Sequence, residues 1–242
     1  MNTTDLVARR EQLLGVGAPL FYQEPVNIVR GEGVWLFDAD DRGYVDMYNN
    51  VPCVGHCHPH VVEAMHQQAR TLNVHSRYLH EGILDYAERL AGLHADPLKS
   101  IVFTCTGTEA NEVAMLMARV STGGRGIICT DAGYHGNSTE VSKLSRPPQD
   151  INAEIRAIPY PQRYRPLQDG VSESELTELY LDEVRTAIDA FQASGIPLAG
   201  MLVCPILANE GLPDIPDSFM ARATEIIHDA GGLFIADEVQ AG

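Results

Sequence analysis

Three short stretches carry side chains suited to chemistry at the ends of strands. The first is Leu233-Phe234-Ile235-Ala236 followed at once by Asp237 and Glu238. Four apolar residues after a double glycine predict a short parallel strand buried on both faces. Ligands in open α/β sheets sit just beyond the carboxyl ends of strands, so Asp237 stands where a carboxylate would meet one. A carboxylate facing a pyridine nitrogen keeps that nitrogen protonated, and a protonated pyridine ring is a strong electron sink. Val239 could then pack on such a ring and Gln240 reach a ring hydroxyl. The second stretch is Thr106-Gly107-Thr108-Glu109, where Thr106 and Glu109 form a capping-box pattern at a helix start. Free N–H groups, a glycine and the Thr108 hydroxyl at the positive end of a helix make a phosphate cradle, although such patterns also mark ordinary capped helices. The third is Gly133-Tyr134-His135-Gly136, an aromatic and an imidazole between glycines. It suits a planar ligand or, equally, a surface turn.

Gly55-His56-Cys57-His58-Pro59-His60 gathers metal-ligating side chains, but the spacing lacks the separated ligand pairs of a structural zinc site. It reads as a turn opening a helix, and no metal is expected.

The elements that must position these residues follow from periodicity. Helices are expected over about 5–14, ended by Pro19, and over 61–72 and 83–94. Gly31 to Asp38 and Gly43 to Met47 read as two strands around an Asp- and Gly-rich turn. Ile101 to Thr104 reads as a strand leading into a helix that runs to about Val120, with Val113, Leu116, Met117 and Val120 facing inward. Strands are expected at 126–129, 155–158 and 198–203. Ser172 with Glu175 forms a second capping box at the head of a long helix to about Ala193, and another helix covers 217–229. This alternation predicts an α/β fold with a doubly wound, mostly parallel sheet.

Composition narrows the class. A net charge of −16 disfavours nucleic acid and anionic membranes as partners. No apolar run is long enough to span a bilayer, and no signal peptide is legible at the start. Five cysteines in apolar or strand-like settings fit a reducing, cytoplasmic setting. Only Lys99 and Lys143 among the 17 basic side chains are lysine. The chain stops four residues after Glu238 without a helix to close the last unit, so a longer natural polypeptide is expected.

Taken in order, these motifs resemble the class III aminotransferases, pyridoxal-phosphate enzymes of fold type I. The resemblance runs from about Pro19 to Gly242 and rests on Arg30-Gly31-Glu32-Gly33, Tyr44-Val45-Asp46, Gly55-His56-Cys57-His58-Pro59, Thr106-Gly107-Thr108-Glu109-Ala110-Asn111, Tyr134-His135-Gly136 and Asp237-Glu238-Val239-Gln240. It implies that Gly107 and Thr108 bind the cofactor phosphate, and that Tyr134 stacks on one ring face with His135 beside it. It also implies that Val239 packs on the other face, Asp237 pairs with the pyridine nitrogen, and Gln240 reaches the ring hydroxyl. The family's Schiff-base lysine is expected about thirty residues beyond Asp237, downstream of Gly242, so 1–242 alone is expected to be inactive. Residues 1–60 would belong to the small domain and 61–242 to an incomplete large cofactor-binding domain. The expected substrates are an amine or ω-amino acid donor and a 2-oxo acid acceptor, on a homodimer. Cys204-Pro205 departs from the family's Glu-Pro, and Glu210 is a residue that could compensate for the lost charge. Asn49 to His58 and Asn73 to His80 resemble the branch that also holds amine–phosphate lyases, so a phospho-lyase is an alternative. A non-catalytic protein that binds pyridoxal phosphate is another.

Overall fold

A computed structural model describes residues 3–15, 20, 22–48, 52–96, 98–145 and 153–242. Pro19 and Asn49 to Val51 lie outside the described residues. The chain divides into two compact units, Met1–Arg89 and Leu90–Gly242.

The first unit holds helix α1 (Thr3–Leu14), strands β1 (Ile28–Glu32), β2 (Trp35–Asp38) and β3 (Gly43–Val45), helix α2 (Pro59–Thr71) and most of α3 (Glu81–Ala91). The strands form an antiparallel sheet in the order β1-β2-β3. The stretch expected as one strand over 31–38 is two, with Glu32 paired to Trp35 across a tight turn. Gly33 makes that turn with φ of 56°, a conformation that costs glycine little. A bridge from Gly33 to His56 fixes the turn, with His56 N–H donating to the Gly33 carbonyl at 2.8 Å. His56 also meets Asp46 at 2.8 Å. Among the described residues no group of three His, Cys, Asp or Glu side chains could hold a metal. The apolar stripe of α2 is exposed, Met65 by 68%, whereas Ile83, Ala87 and Leu90 of α3 are half-buried.

The second unit runs α4 (Gly107–Thr122), β4 (Gly126–Thr130), β5 (Ile155–Ile158), α5 (Glu173–Ala193), β6 (Leu198–Val203), α6 (Phe219–Asp229) and β7 (Leu233–Ala236). Its four strands are parallel in the order β5-β4-β6-β7. After β5 the chain returns past β4 to lay β6 on its other side, so the winding direction reverses at β4. That reversal is where open α/β sheets form a crevice at their carboxyl edge. The central strands β4 and β6 are buried along their whole lengths.

Alternation along β4 splits the core in two. Ile128 faces α5 and α6, where Tyr180, Val184, Phe191, Phe219 and Ile227 pack. Ile127 and Cys129 face the opposite side, with Met115 of α4 and with Val141 and Leu144 from a short 3-10 turn. Burying each large side chain stabilises the fold by about 2–3 kcal/mol. The long helix α5 starts at the expected capping box: Glu175 N–H donates to Ser172 Oγ, and the Glu175 carboxylate accepts from Ser172 N–H at 2.8 Å.

Three expectations fail here, each for a reason of tertiary packing. Ile101 to Thr104 forms no strand and joins neither described sheet; Val102 is 61% exposed. Helix α4 buries Asn111, Met115 and Ala118, whereas Leu116, Met117 and Val120 on the expected inward face are exposed. Strand β7 is an edge of the described sheet and only partly covered, not buried on both faces. Among the described residues no helix is long and apolar enough to cross a membrane.

Candidate functional site

The parallel sheet brings the ends of β4, β6 and β7 to one edge, and the N-terminus of α4 joins them there. A cavity of about 170 Å³ opens at this edge. All seven residues singled out from the sequence line it: Gly107, Thr108, Tyr134, His135, Asp237, Val239 and Gln240. Thr106, Gly136, Cys204 and Asn209 complete the wall. Neither Lys99 nor Lys143 lines it; Lys99 pairs with Asp96 and Lys143 with Glu140.

The start of α4 is built as a cradle. Thr106 caps it, accepting from Glu109 N–H at 3.1 Å. The reciprocal arm falls one residue early, since the Glu109 carboxylate accepts from Cys105 N–H at 2.7 Å. These bonds leave the N–H groups of Gly107 and Thr108 without a partner among the described residues, as the first turn of a helix must unless something binds there. Two glycines let neighbours approach. A Cβ on Gly107 would stand 2.5 Å from Val239 Cγ2. A Cβ on Gly136, whose φ is +135°, would stand 2.5 Å from Thr108 Oγ1. Val239 and the 133–136 loop therefore close on the helix start from two sides. The Tyr134 ring, 51% exposed, stands at the rim.

The floor is Asp237, only 7% exposed. His135 Nδ1 lies 2.7 Å from its Oδ2, and Asn111 Nδ2 donates to the same oxygen at 3.0 Å. The backbone N–H of Val239 donates to Oδ1 at 3.2 Å. Burial by itself pushes the carboxyl pKa up, but the bonds from His135, Val239 and Asn111 outweigh it and hold the group below its ordinary value. Asp237 is thus kept as an anion in a dry place, with its remaining acceptor capacity available to the cavity.

Sequence reasoning missed Asn111 as a site residue. Its side chain joins the site twice, to the His135 carbonyl at 2.8 Å and to Asp237. The available signal was a polar side chain one helical turn after Gly107, on what proved to be the buried face. It also left the place of Glu210 open. Glu210 accepts from Thr130 Oγ1 at 2.6 Å, behind the cavity wall. Its charge, after burial and together with Asp131, helps push the buried Cys129 thiol up to about 12, so Cys129 packs as a small apolar group. Cys204, the residue that departs from the Glu-Pro of the resemblance, lies in the cavity wall.

A family model described as Aminotransferase class-III matches residues 20–242. The chain belongs to the class III aminotransferase family. An alanine–glyoxylate aminotransferase 2 homologue of Arabidopsis thaliana is 33% identical over 98% of this chain and 50% of its own length. A similar protein of Drosophila melanogaster, alanine–glyoxylate aminotransferase 2-like, is 30% identical over 100% of this chain and 51% of its own. This chain therefore spans about half the length of the curated relatives it matches. Among solved structures, a phospholyase from Arthrobacter in complex with phosphoethanolamine superposes with a TM-score of 0.90 at 39% identity, covering 98% of this chain and 57% of that one. A taurine:2-oxoglutarate aminotransferase from Bifidobacterium kashiwanohense, in complex with PLP and glutamate, gives 0.82 at 26%, covering 100% and 57%. The fold is that of the fold type I enzymes, and the family's cofactor is pyridoxal phosphate.

The cavity of this class III chain fits that cofactor. Its lining brings together the open start of a helix, a buried carboxylate held as an anion, and an aliphatic and an aromatic side chain.

Proposed function

We propose that this chain supplies the cofactor pocket of a pyridoxal-phosphate-dependent aminotransferase. The enzyme would move an amino group from an amine or ω-amino acid to a 2-oxo acid. The observation that carries this reading is the buried Asp237 carboxylate, held by three donors in a cavity that a helix start also lines. When bound, pyridoxal phosphate supplies a ring that accepts an electron pair from the carbon bearing the amine.

The residues' roles follow from their chemistry. The N–H groups of Gly107 and Thr108 and the Thr108 hydroxyl bind the phosphate, where the helix dipole favours negative charge. Asp237 accepts a hydrogen bond from the ring nitrogen and keeps its proton in place. His135 and Asn111 orient that carboxylate, and their burial keeps water from competing for it. Val239 and Tyr134 cover the two ring faces, and Gln240 donates to the ring hydroxyl. The Schiff-base lysine is proposed to lie in sequence following Gly242, with a second subunit completing a homodimer. On this reading residues 1–242 alone turn over no substrate.

A second reading is favoured by one observation. The matched phospholyase is 39% identical to this chain, against 26% for the taurine aminotransferase. We propose the phospho-lyase as the alternative, acting on a phosphorylated amino alcohol with loss of ammonia and phosphate. Product analysis of the natural-length protein separates the readings. A transaminase gives a new amino acid from an amine and a 2-oxo acid and releases no phosphate. A lyase releases inorganic phosphate from phosphoethanolamine with no 2-oxo acid present. Tight cofactor binding with neither product would point to a non-catalytic pyridoxal-phosphate-binding protein.

A further inference from the structure

Helices α4 and α5 begin with the same sequence pattern, Thr106 with Glu109 and Ser172 with Glu175, and use it differently. At α5 the Glu175 carboxylate accepts from the N–H of the capping residue itself, Ser172, at 2.8 Å and closes the helix start. At α4 the Glu109 carboxylate passes over the capping residue and accepts from Cys105 N–H at 2.7 Å. The other arm is the usual one, with Thr106 Oγ1 accepting from Glu109 N–H at 3.1 Å. Thr104 adds a bond from its hydroxyl to the Thr106 carbonyl at 3.2 Å. Two of these three ties run through Glu109. The shift by one residue matters for the cavity. The N–H groups of Thr106, Gly107 and Thr108 all stay without a partner among the described residues, and all three residues line the cavity. A start closed like that of α5 would take the first of these donors away. The turn also has little room to move. A Cβ on Gly107 would stand 2.5 Å from Val239 Cγ2, and one on Gly136 2.5 Å from Thr108 Oγ1.

We propose that Glu109 is a positioning residue for the cofactor phosphate: it holds the turn before α4 through Cys105, and so keeps three consecutive backbone donors, Thr106 to Thr108, available to one phosphate group. This rests on the pyridoxal-phosphate reading of the cavity and adds to it the N–H of Thr106 and the residue that frees it. Glu109 does not line the cavity; it acts through the turn. Its carboxylate influences binding in two opposed ways. The bond to Cys105 fixes the donors in advance, so the phosphate does not have to order them. The negative charge repels the phosphate. The first effect needs an acceptor at this position, and only the second needs a charge, so a glutamine separates them. Cys105 is exposed, so water takes up its N–H when the carboxylate is removed, and the helix keeps its Thr106 cap.

Two measurements on the natural-length, cofactor-free protein test this. The first titrates pyridoxal phosphate and, separately, pyridoxal, which lacks the phosphate, following protein fluorescence. Glu109→Leu is expected to weaken pyridoxal phosphate roughly tenfold and pyridoxal less than about twofold. Glu109→Gln, which keeps an oxygen acceptor and removes the charge, is expected to bind pyridoxal phosphate at least as tightly as the wild type. Equal weakening of both ligands, no weakening of either, or a glutamine variant as weak as the leucine variant overturns the proposal. The second follows the Cys105 amide in protein labelled with 15N-cysteine, assigned by its loss in Cys105→Ser. Its exchange with solvent is expected to be slow in the wild type and in Glu109→Gln, and fast in Glu109→Leu. One rate in all three overturns the proposal as well. Failure of pyridoxal phosphate to bind the wild type would instead bring down the cofactor reading on which the proposal stands.

Discussion

Asp237 concentrates the chemistry of this half of the molecule. It is buried, it is charged, and two side chains from distant parts of the chain converge on it together with the nearby Val239 N–H. Its depressed pKa has a definite consequence for stability. A carboxyl group that ionises more readily when folded stabilises the fold fully above its ordinary value of 3.8, and that contribution is lost as pH falls through the depressed folded value. The thermal midpoint of the wild type is therefore expected to fall more steeply with acid below about pH 4 than that of Asp237→Asn. Parallel acid limbs in the two proteins would show that the His135 and Asn111 bonds do not favour the anion. The residues that hold Asp237 were only partly legible in the sequence. Tyr134-His135 stood out because an aromatic and an imidazole between glycines are unusual company. Asn111 did not, because its contact to Asp237 spans 126 positions and its own helix offered a rival apolar stripe. The bond from Thr130 to Glu210, across 80 residues, was hidden for the same reason.

At the scale of elements, local chemistry and tertiary choice separate cleanly. Strands β4, β5, β6 and β7 follow from short apolar runs between glycine, proline and polar breaks. Helix α5 follows from Ser172 and Glu175, whose reciprocal bonds lie within four residues of sequence. Removing that cap by Ser172→Ala is expected to cost about 1 kcal/mol in a denaturant titration, with the slope unchanged. The face of α4 was not legible, because both of its stripes are apolar and only the sheet decides which one is buried. The stretch 101–104 has the apolar character of a strand, but a strand also needs a neighbour to bond, and that is not a local property. Gly200 shows how tightly the chosen neighbours fit. A Cβ there would stand 2.1 Å from the Leu233 carbonyl oxygen, where β6 pairs with β7. Gly200→Ala is expected to force the strands apart at a cost of about 3 kcal/mol and to loosen the site, since Asp237 follows directly on β7. A variant as stable as the wild type would mean that β7 is held by something other than this pairing.

For the whole molecule, the second unit carries its own double core and the complete floor of the cavity, while the apolar stripe of α2 and Leu116, Met117 and Val120 of α4 remain exposed. A chain with net charge −16 has no electrostatic use for an anionic polymer, and on the proposed reading a cofactor with one phosphate is met instead by a local helix start. The chain spans about half the length of the curated relatives it matches. What these residues claim directly is the cofactor. The most direct test is to titrate pyridoxal phosphate into the natural-length protein and into its Asp237→Asn form, following the quenching of protein fluorescence. The account predicts saturable binding by the wild type, weakened about 10- to 100-fold in the variant through loss of a charge-assisted hydrogen bond. Equal affinities would contradict it and remove Asp237 from the centre of the site.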